Sequence, residues 1–168
     1  MSTNKVSKET PLIIVRQFDA TKNVVFDAFT NPEAMAQWWG PADYPTTVVS
    51  MDFKPGGLFH YKMEANGKVM YGRFIYGQIQ QPDMLEFTDS FSDENAGIIR
   101  APFSATWPLE IFNQLTFTEE DGKTTITFSG YPVNATEEET ETFSTAQAGI
   151  KQGFAGTFNQ LDTFLKNK

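Results

Sequence analysis

An α+β domain, in which a curved antiparallel sheet grips one long C-terminal helix, is predicted by three features of these 168 residues. Turn dipeptides cut the middle of the chain into consecutive hairpins, and apolar residues alternate between those turns. Toward the C-terminus the apolar spacing changes to steps of three and four, the period of a helix.

Residues 1–10 are polar apart from Val6 and are predicted to form a disordered tail, leaving a single domain over 11–168. Order starts at Leu12-Ile13-Ile14-Val15, a β-branched run that reads as a strand reaching Phe18. Thr21 is placed to cap a short helix carrying Val25, Phe26, Ala28 and Phe29. Asn31-Pro32 then opens a second helix, with Pro32 at the position where its missing N–H costs nothing, and Gly40-Pro41 closes it after Trp39.

Between 46 and 131 the punctuation is that of hairpins. Lys54-Pro55-Gly56-Gly57 fits a type II turn. Asn66-Gly67 and Asp121-Gly122 fit type I′ turns, whose two central residues both need positive φ. Gln81-Pro82-Asp83 supplies another turn, so six strands are expected over 46–53, 57–64, 68–79, 84–91, 107–118 and 123–130. Met51, Phe53, Phe59, Tyr61, Met63, Leu85, Phe87, Leu109, Ile111, Leu115, Phe117, Ile126 and Phe128 share one parity within their strands and are assigned to the buried face. Phe74 and Tyr76 are assigned inward in the strand where parity is mixed. The opposite face is rich in Ser, Asp, Lys, Glu and Thr, as a solvated sheet face should be.

The aperiodic stretch Ser92–Ala105 is long for a loop in a compact domain and reads either as a lid or as a passive connector. Thr136-Glu137-Glu138-Glu139 matches a capping box. Phe143, Gln147, Ile150, Phe154, Phe158, Leu161 and Leu165 then mark one face of a single amphipathic helix of about seven turns.

Composition excludes several functions. The net charge of -8 disfavours phosphate backbones and anionic lipid surfaces, so neither nucleic acid nor membrane is an expected partner. Without Cys there is no thiol nucleophile and no zinc-thiolate site, and the chain reads as cytoplasmic. Gly56-Gly57 precedes a strand rather than a helix and no Gly-Lys-Ser/Thr occurs, so no phosphate loop and no cofactor is expected. His60 is the single histidine and its parity opposes Phe59 and Tyr61, which predicts a solvent-facing side chain rather than a ligand or catalytic base. The carboxylate clusters at Asp93-Glu94, Glu119-Glu120-Asp121 and Glu137–Glu141 sit in turns or at a helix start, where solvation and capping explain them.

Aromatics dominate what remains, with 16 Phe against 5 Tyr and 3 Trp. They point to an apolar cavity under the last helix. Its expected lining is Trp38, Trp39, Phe53, Phe59, Tyr61, Phe74, Tyr76, Phe87, Trp107, Ile111, Phe128, Ile150, Phe154 and Phe158, with Asp89, Asn113 and Gln147 as inward polar groups. Trp38 and Trp39 read either as a wall at the cavity mouth or as anchors tying the helices to the sheet. Gly149, Gly153 and Gly156 each weaken the last helix, and close packing against a neighbour is the favoured reason, with space beneath the helix the other. Arg73 faces a ligand only if its strand runs in the other parity.

The order strand, two short helices, six-strand meander, long helix resembles the START-like, or birch-pollen-allergen-like, helix-grip fold. Asn31-Pro32-Glu33, Trp38-Trp39-Gly40-Pro41, Phe53-Lys54-Pro55-Gly56-Gly57, the stretch from Tyr76 to Asp89, Trp107-Pro108-Leu109-Glu110 and Gln152-Gly153-Phe154 resemble the pattern of the family named for the C-terminal domain of the heat-shock protein 90 ATPase activator. The chain departs from it at Phe154, where the family commonly has Trp, and at Gln81-Pro82, where it has a Pro pair. The resemblance implies a helix-grip fold with a cavity, and three functions follow as expectations. The first is non-enzymatic binding of an apolar or aromatic small molecule, such as a lipid or polyketide-like compound. The second is a protein-interaction module regulating a chaperone ATPase, and the third a cyclase- or hydrolase-like enzyme, for which no catalytic residue is nominated. Exposed sheet edges allow a monomer or a homodimer.

Overall fold

The computed structural model describes residues 5–167. Strand β1 (Leu12–Phe18) is followed by helices α1 (Lys22–Asp27) and α2 (Pro32–Trp38). The meander comprises β2 (Thr46–Met51), β3 (Leu58–Ala65), β4 (Lys68–Gln80), β5 (Met84–Ser92), β6 (Ile111–Glu120) and β7 (Lys123–Pro132). Helices α3 (Glu137–Thr145) and α4 (Gln147–Lys166) end the chain. All seven strands form one antiparallel sheet in the order β1-β7-β6-β5-β4-β3-β2, so the first strand pairs with the last and β1 and β2 are the edges. No helix among the described residues is long and apolar enough to cross a membrane.

Turn chemistry sets the register. Asn66 and Gly67, and likewise Asp121 and Gly122, all take positive φ, as type I′ turns require. Gly57 N–H donates to Lys54 O across the Pro55-Gly56 turn, with Gly56 at φ +80°. The registers thus fixed put Phe59, Phe74, Tyr76, Leu85, Phe87, Leu115, Phe117, Ile126 and Phe128 on one buried face, which includes the assignment of Phe74 and Tyr76. Helices α1 and α2 seal one end of that face through Val25, Phe26, Phe29, Met35 and Trp38. Asn31 Oδ1 accepts from Ala34 N–H at 2.8 Å and caps α2, whereas the Thr21 hydroxyl makes no cap bond to α1.

The structure differs from expectation at five further places. Trp107 and Leu109 are outside β6, which begins only at Ile111; Pro108 has no N–H for the ladder, and Leu109 is exposed. The last helix is broken at Ala146, whose N–H is shared between Phe143 O and Thr142 O, while the Ser144 hydroxyl bonds back to Thr140 O. The tail expected to fray is docked where it is described: Val6 is 2 % exposed, sits against Leu12, Ile111 and Phe143, and donates its N–H to Ser144 Oγ at 2.8 Å. Residues 1–4 lie outside the described part.

His60 is the fourth difference. Its parity is outward as predicted, yet it is only 3 % exposed, because residues 92–97 fold over that face of the sheet. Its ring stacks on Tyr71 at 5.5 Å, with Nε2 3.2 Å from Asp93 O, and Arg73 Nη1 donates to Ala96 O on the same face. The long loop is therefore partly a cover for the outer face. Its remainder returns to α3, where Arg100 bridges Trp107 O and Glu139 Oε2.

Glycines in α4 are the fifth. A Cβ at Gly149, Gly153 or Gly156 would meet nothing within 4 Å, which removes close packing as their reason. Gly149→Ala should therefore raise stability by about 0.5–1 kcal/mol, read as a higher midpoint in urea. The opposite sign is expected at Thr136, whose hydroxyl accepts from Glu139 N–H while Glu139 Oε1 accepts from Thr136 N–H. Thr136→Ala should cost about 1 kcal/mol in the same measurement.

Candidate functional site

Large side chains fill the sheet face at the α1–α2 end, but the inward row becomes small toward the other end. β4 presents Gly72 after Phe74 and Tyr76, and β7 presents Gly130 after Ile126 and Phe128. A Cβ at Gly72 would fall 2.5 Å from Tyr61 Oη, and one at Gly130 would fall 2.8 Å from Asn113 Oδ1. Each glycine thus leaves room for a polar tip from the neighbouring strand. Above this floor α4 passes with Gly153 over open space.

The result is a cavity of about 320 Å³ between sheet and helix, within the size range of small-molecule sites. Trp39, Gly40 and Pro41 form one wall, and Trp107, Pro108 and Phe91 the opposite one. Tyr61, Met63, Asp89, Ile111, Asn113 and Phe128 form the floor, with Phe143, Ile150, Gly153, Phe154 and Thr157 as the roof. Thr157 Oγ1 and Gln160 Nε2 both donate to Gly40 O, at 3.2 and 2.6 Å, and fix the first wall to α4. Outside the lining, Phe103 is 62 % exposed and leans on Phe91 and Trp107, with ring centroids 5.5 and 5.4 Å away.

Of the residues expected to line a site, Trp39, Tyr61, Asp89, Trp107, Ile111, Asn113, Phe128, Ile150 and Phe154 surround this cavity. Trp38, Phe59, Phe74, Tyr76, Phe87 and Phe158 instead lie in the solid core, and Phe53 packs at its margin. Gln147 is removed from the stripe by the break at Ala146, and its Nε2 donates to Ser144 O at 3.0 Å. Tyr76 is buried with its hydroxyl unpaired, against Phe53 and Phe74 rather than the cavity. Gly72 and Gly130 are site residues the sequence reading lacks, although a lone glycine within a strand pattern signals a close backbone or side-chain approach, and Gly153 borders the cavity, as its reading as space beneath the helix allows.

Asp89 is the chemical centre. The carboxyl is half-buried on the cavity floor. Asn113 Nδ2 donates to Asp89 Oδ2 at 3.1 Å and to Ile111 O at 3.1 Å. Burial pushes the Asp89 carboxyl up to about 7, with the Asn113 bond pulling the other way. Burial, and then the charge of Asp89, push the Tyr61 phenol well above its usual range, so it is a neutral hydroxyl at physiological pH. Both groups can hydrogen-bond a ligand, and Asp89 alone can exchange a proton near neutrality. No group of three or more metal-binding side chains occurs among the described residues.

Sheet, long helix and the cavity between them define the START-like, helix-grip class of protein. Within it, the family model described as activator of Hsp90 ATPase homolog 1-like protein matches residues 19–166, and the chain belongs to that family. A solution structure of an Arthrobacter aurescens protein is similar, with 27 % identity, TM-score 0.76, and coverage of 93 % of this chain and 86 % of that one. A crystal structure of a Mycobacterium smegmatis protein is similar at 28 % identity and TM-score 0.75, covering 92 % and 90 % of the two chains. A Staphylococcus epidermidis protein solved in solution matches at 28 % identity and TM-score 0.75, over 99 % and 94 %. No curated protein matches the chain.

Proposed function

We propose that this chain is a non-enzymatic binding protein that takes a small apolar or aromatic molecule into the cavity between the sheet and α4. The observation that carries this reading is the cavity itself, which is walled by Trp39, Trp107, Phe128 and Phe154 while the neighbouring core is filled. Folding would ordinarily close such a space, since an unfilled apolar void costs stability. Gly72 and Gly130 on the floor leave room for the Tyr61 and Asn113 tips, which a Cβ would displace, and Gly153 borders the space with no side chain to fill it.

Native mass spectrometry of the purified protein, with thermal-shift titration by apolar probes, tests this directly. A retained molecule or a concentration-dependent rise in Tm is the expected result. Gly153→Leu should keep the fold, because its side chain enters open space, and should weaken probe binding about tenfold by filling the mouth. No retained molecule, no stabilisation and no difference between Gly153→Leu and the parent protein would remove the proposal. Regulation of a chaperone ATPase, suggested by the family's description, would require a partner surface instead, and an unchanged ATPase rate on adding the protein excludes it.

A further inference from the structure

Resting on the cavity-binding reading, we infer that the ligand is an apolar molecule with a hydrogen-bond-donating, uncharged or amine head set against Asp89 and Asn113, and that carboxylates are refused. The donors of this polar pair are already committed. Asn113 Nδ2 serves Asp89 Oδ2 and Ile111 O, which leaves Asp89 Oδ1 and Asn113 Oδ1 without a protein donor among the described residues. Where Asp89 is ionised both remaining positions are acceptors, so a head set against them must donate.

Charge points the same way. Asp89 is the one acidic or basic side chain among the described cavity-lining residues. Across from it β3 contributes Tyr61, β6 Asn113, α4 Phe154 and Thr157, and the α2–β2 connection Trp39; of these only Tyr61 titrates, and it stays neutral. Arg73, next to Gly72 in β4, and Arg100 are both engaged elsewhere. Arg73 is on the outer sheet face with Ala96 O, and Arg100 is held by Trp107 O and Glu139. A carboxylate ligand would therefore meet a like charge in a largely apolar cavity whose lining includes no Lys or Arg. The net charge of -8 adds a field that disfavours entry of anions. The raised Asp89 carboxyl makes the discrimination pH-dependent, weakest where the group is protonated.

Decylamine, decanol and decanoate share one apolar tail and separate the head groups. Their affinities for the parent protein and for Asp89→Asn, measured at pH 6 and pH 8 by displacement of a fluorescent apolar probe, test the inference. For the parent protein at pH 8, amine and alcohol should bind, and decanoate should be weaker by about tenfold or more. The gap should narrow at pH 6, and amine affinity should rise from pH 6 to pH 8. In Asp89→Asn, decanoate should approach decanol and the amine should lose about tenfold. Decanoate binding as tightly as decanol to the parent protein at pH 8, or three affinities that do not respond to pH or to Asp89→Asn, overturns the head-group inference and leaves the cavity reading standing. Failure of all three to displace the probe from either protein overturns both. The pH series on the parent protein decides the matter even if Asp89→Asn does not fold.

Discussion

Asp89→Asn should raise stability at pH 8 by on the order of 3 kcal/mol and change it little at pH 4. In the folded protein the carboxyl is raised from 3.8 to about 7, chiefly by burial. A group raised in this way contributes stability that is fully present below its unfolded pKa and is lost as pH climbs through the folded value. The parent protein should therefore lose stability between about pH 4 and pH 7, at up to 1.36 kcal/mol per pH unit for this one group. Asn keeps an acceptor for Asn113 Nδ2 and cannot ionise, so its curve lacks that descent. Glu139 acts with the opposite sign: the Thr136 N–H and the Arg100 guanidinium hold it below its usual range, so its contribution is lost as pH falls. The difference between parent and variant removes that background. Urea unfolding at pH 4, 6 and 8 measures it, and parallel curves would show that Asp89 ionises freely in the cavity.

The architecture was legible because its signals are local. Asn66-Gly67, Asp121-Gly122 and Pro55-Gly56 each fix a turn, and alternation between them fixes which side chains face the helix, including Asp89 and Asn113. The buried face is legible from alternation except at Leu109, which is exposed, but parity gives a face and not a position along it. Phe74 and Gly72 share a face and differ only in where α4 rises from the sheet, so one is core and the other cavity floor. Long-range docking was illegible for a different reason. His60 is buried by residues 92–97, and Val6 by α3, through contacts that no period or dipeptide announces. Trp107 came to the wall from a loop rather than from the strand assigned to it, since Pro108 delays the ladder to Ile111.

Trp38 and Trp39, adjacent in sequence, should separate cleanly under substitution. Trp38 is fully buried, donates Nε1–H to Ala28 O at 2.9 Å and meets Phe29 edge-on at 4.8 Å. Trp38→Ala leaves a void and an unpaired carbonyl, and should cost about 4 kcal/mol, or roughly 10 °C in Tm. Trp39 touches Phe74 and Phe154 but has the cavity on its other side, with ring centroids at 5.1 and 6.0 Å. Trp39→Ala joins its volume to an existing space and should cost only about 2 kcal/mol. Its larger effect should fall on binding, because it removes one wall of the cavity. Under conditions where both variants are folded, Trp39→Ala should weaken an apolar probe about tenfold, and Trp38→Ala should leave its affinity within about twofold of the parent. Equal losses of stability with no change in affinity for Trp39→Ala would make both indoles anchors between α2 and the sheet. The predicted split instead assigns the anchor to Trp38 and the wall to Trp39, which follows from the change from helical to extended backbone at Trp39 where α2 ends.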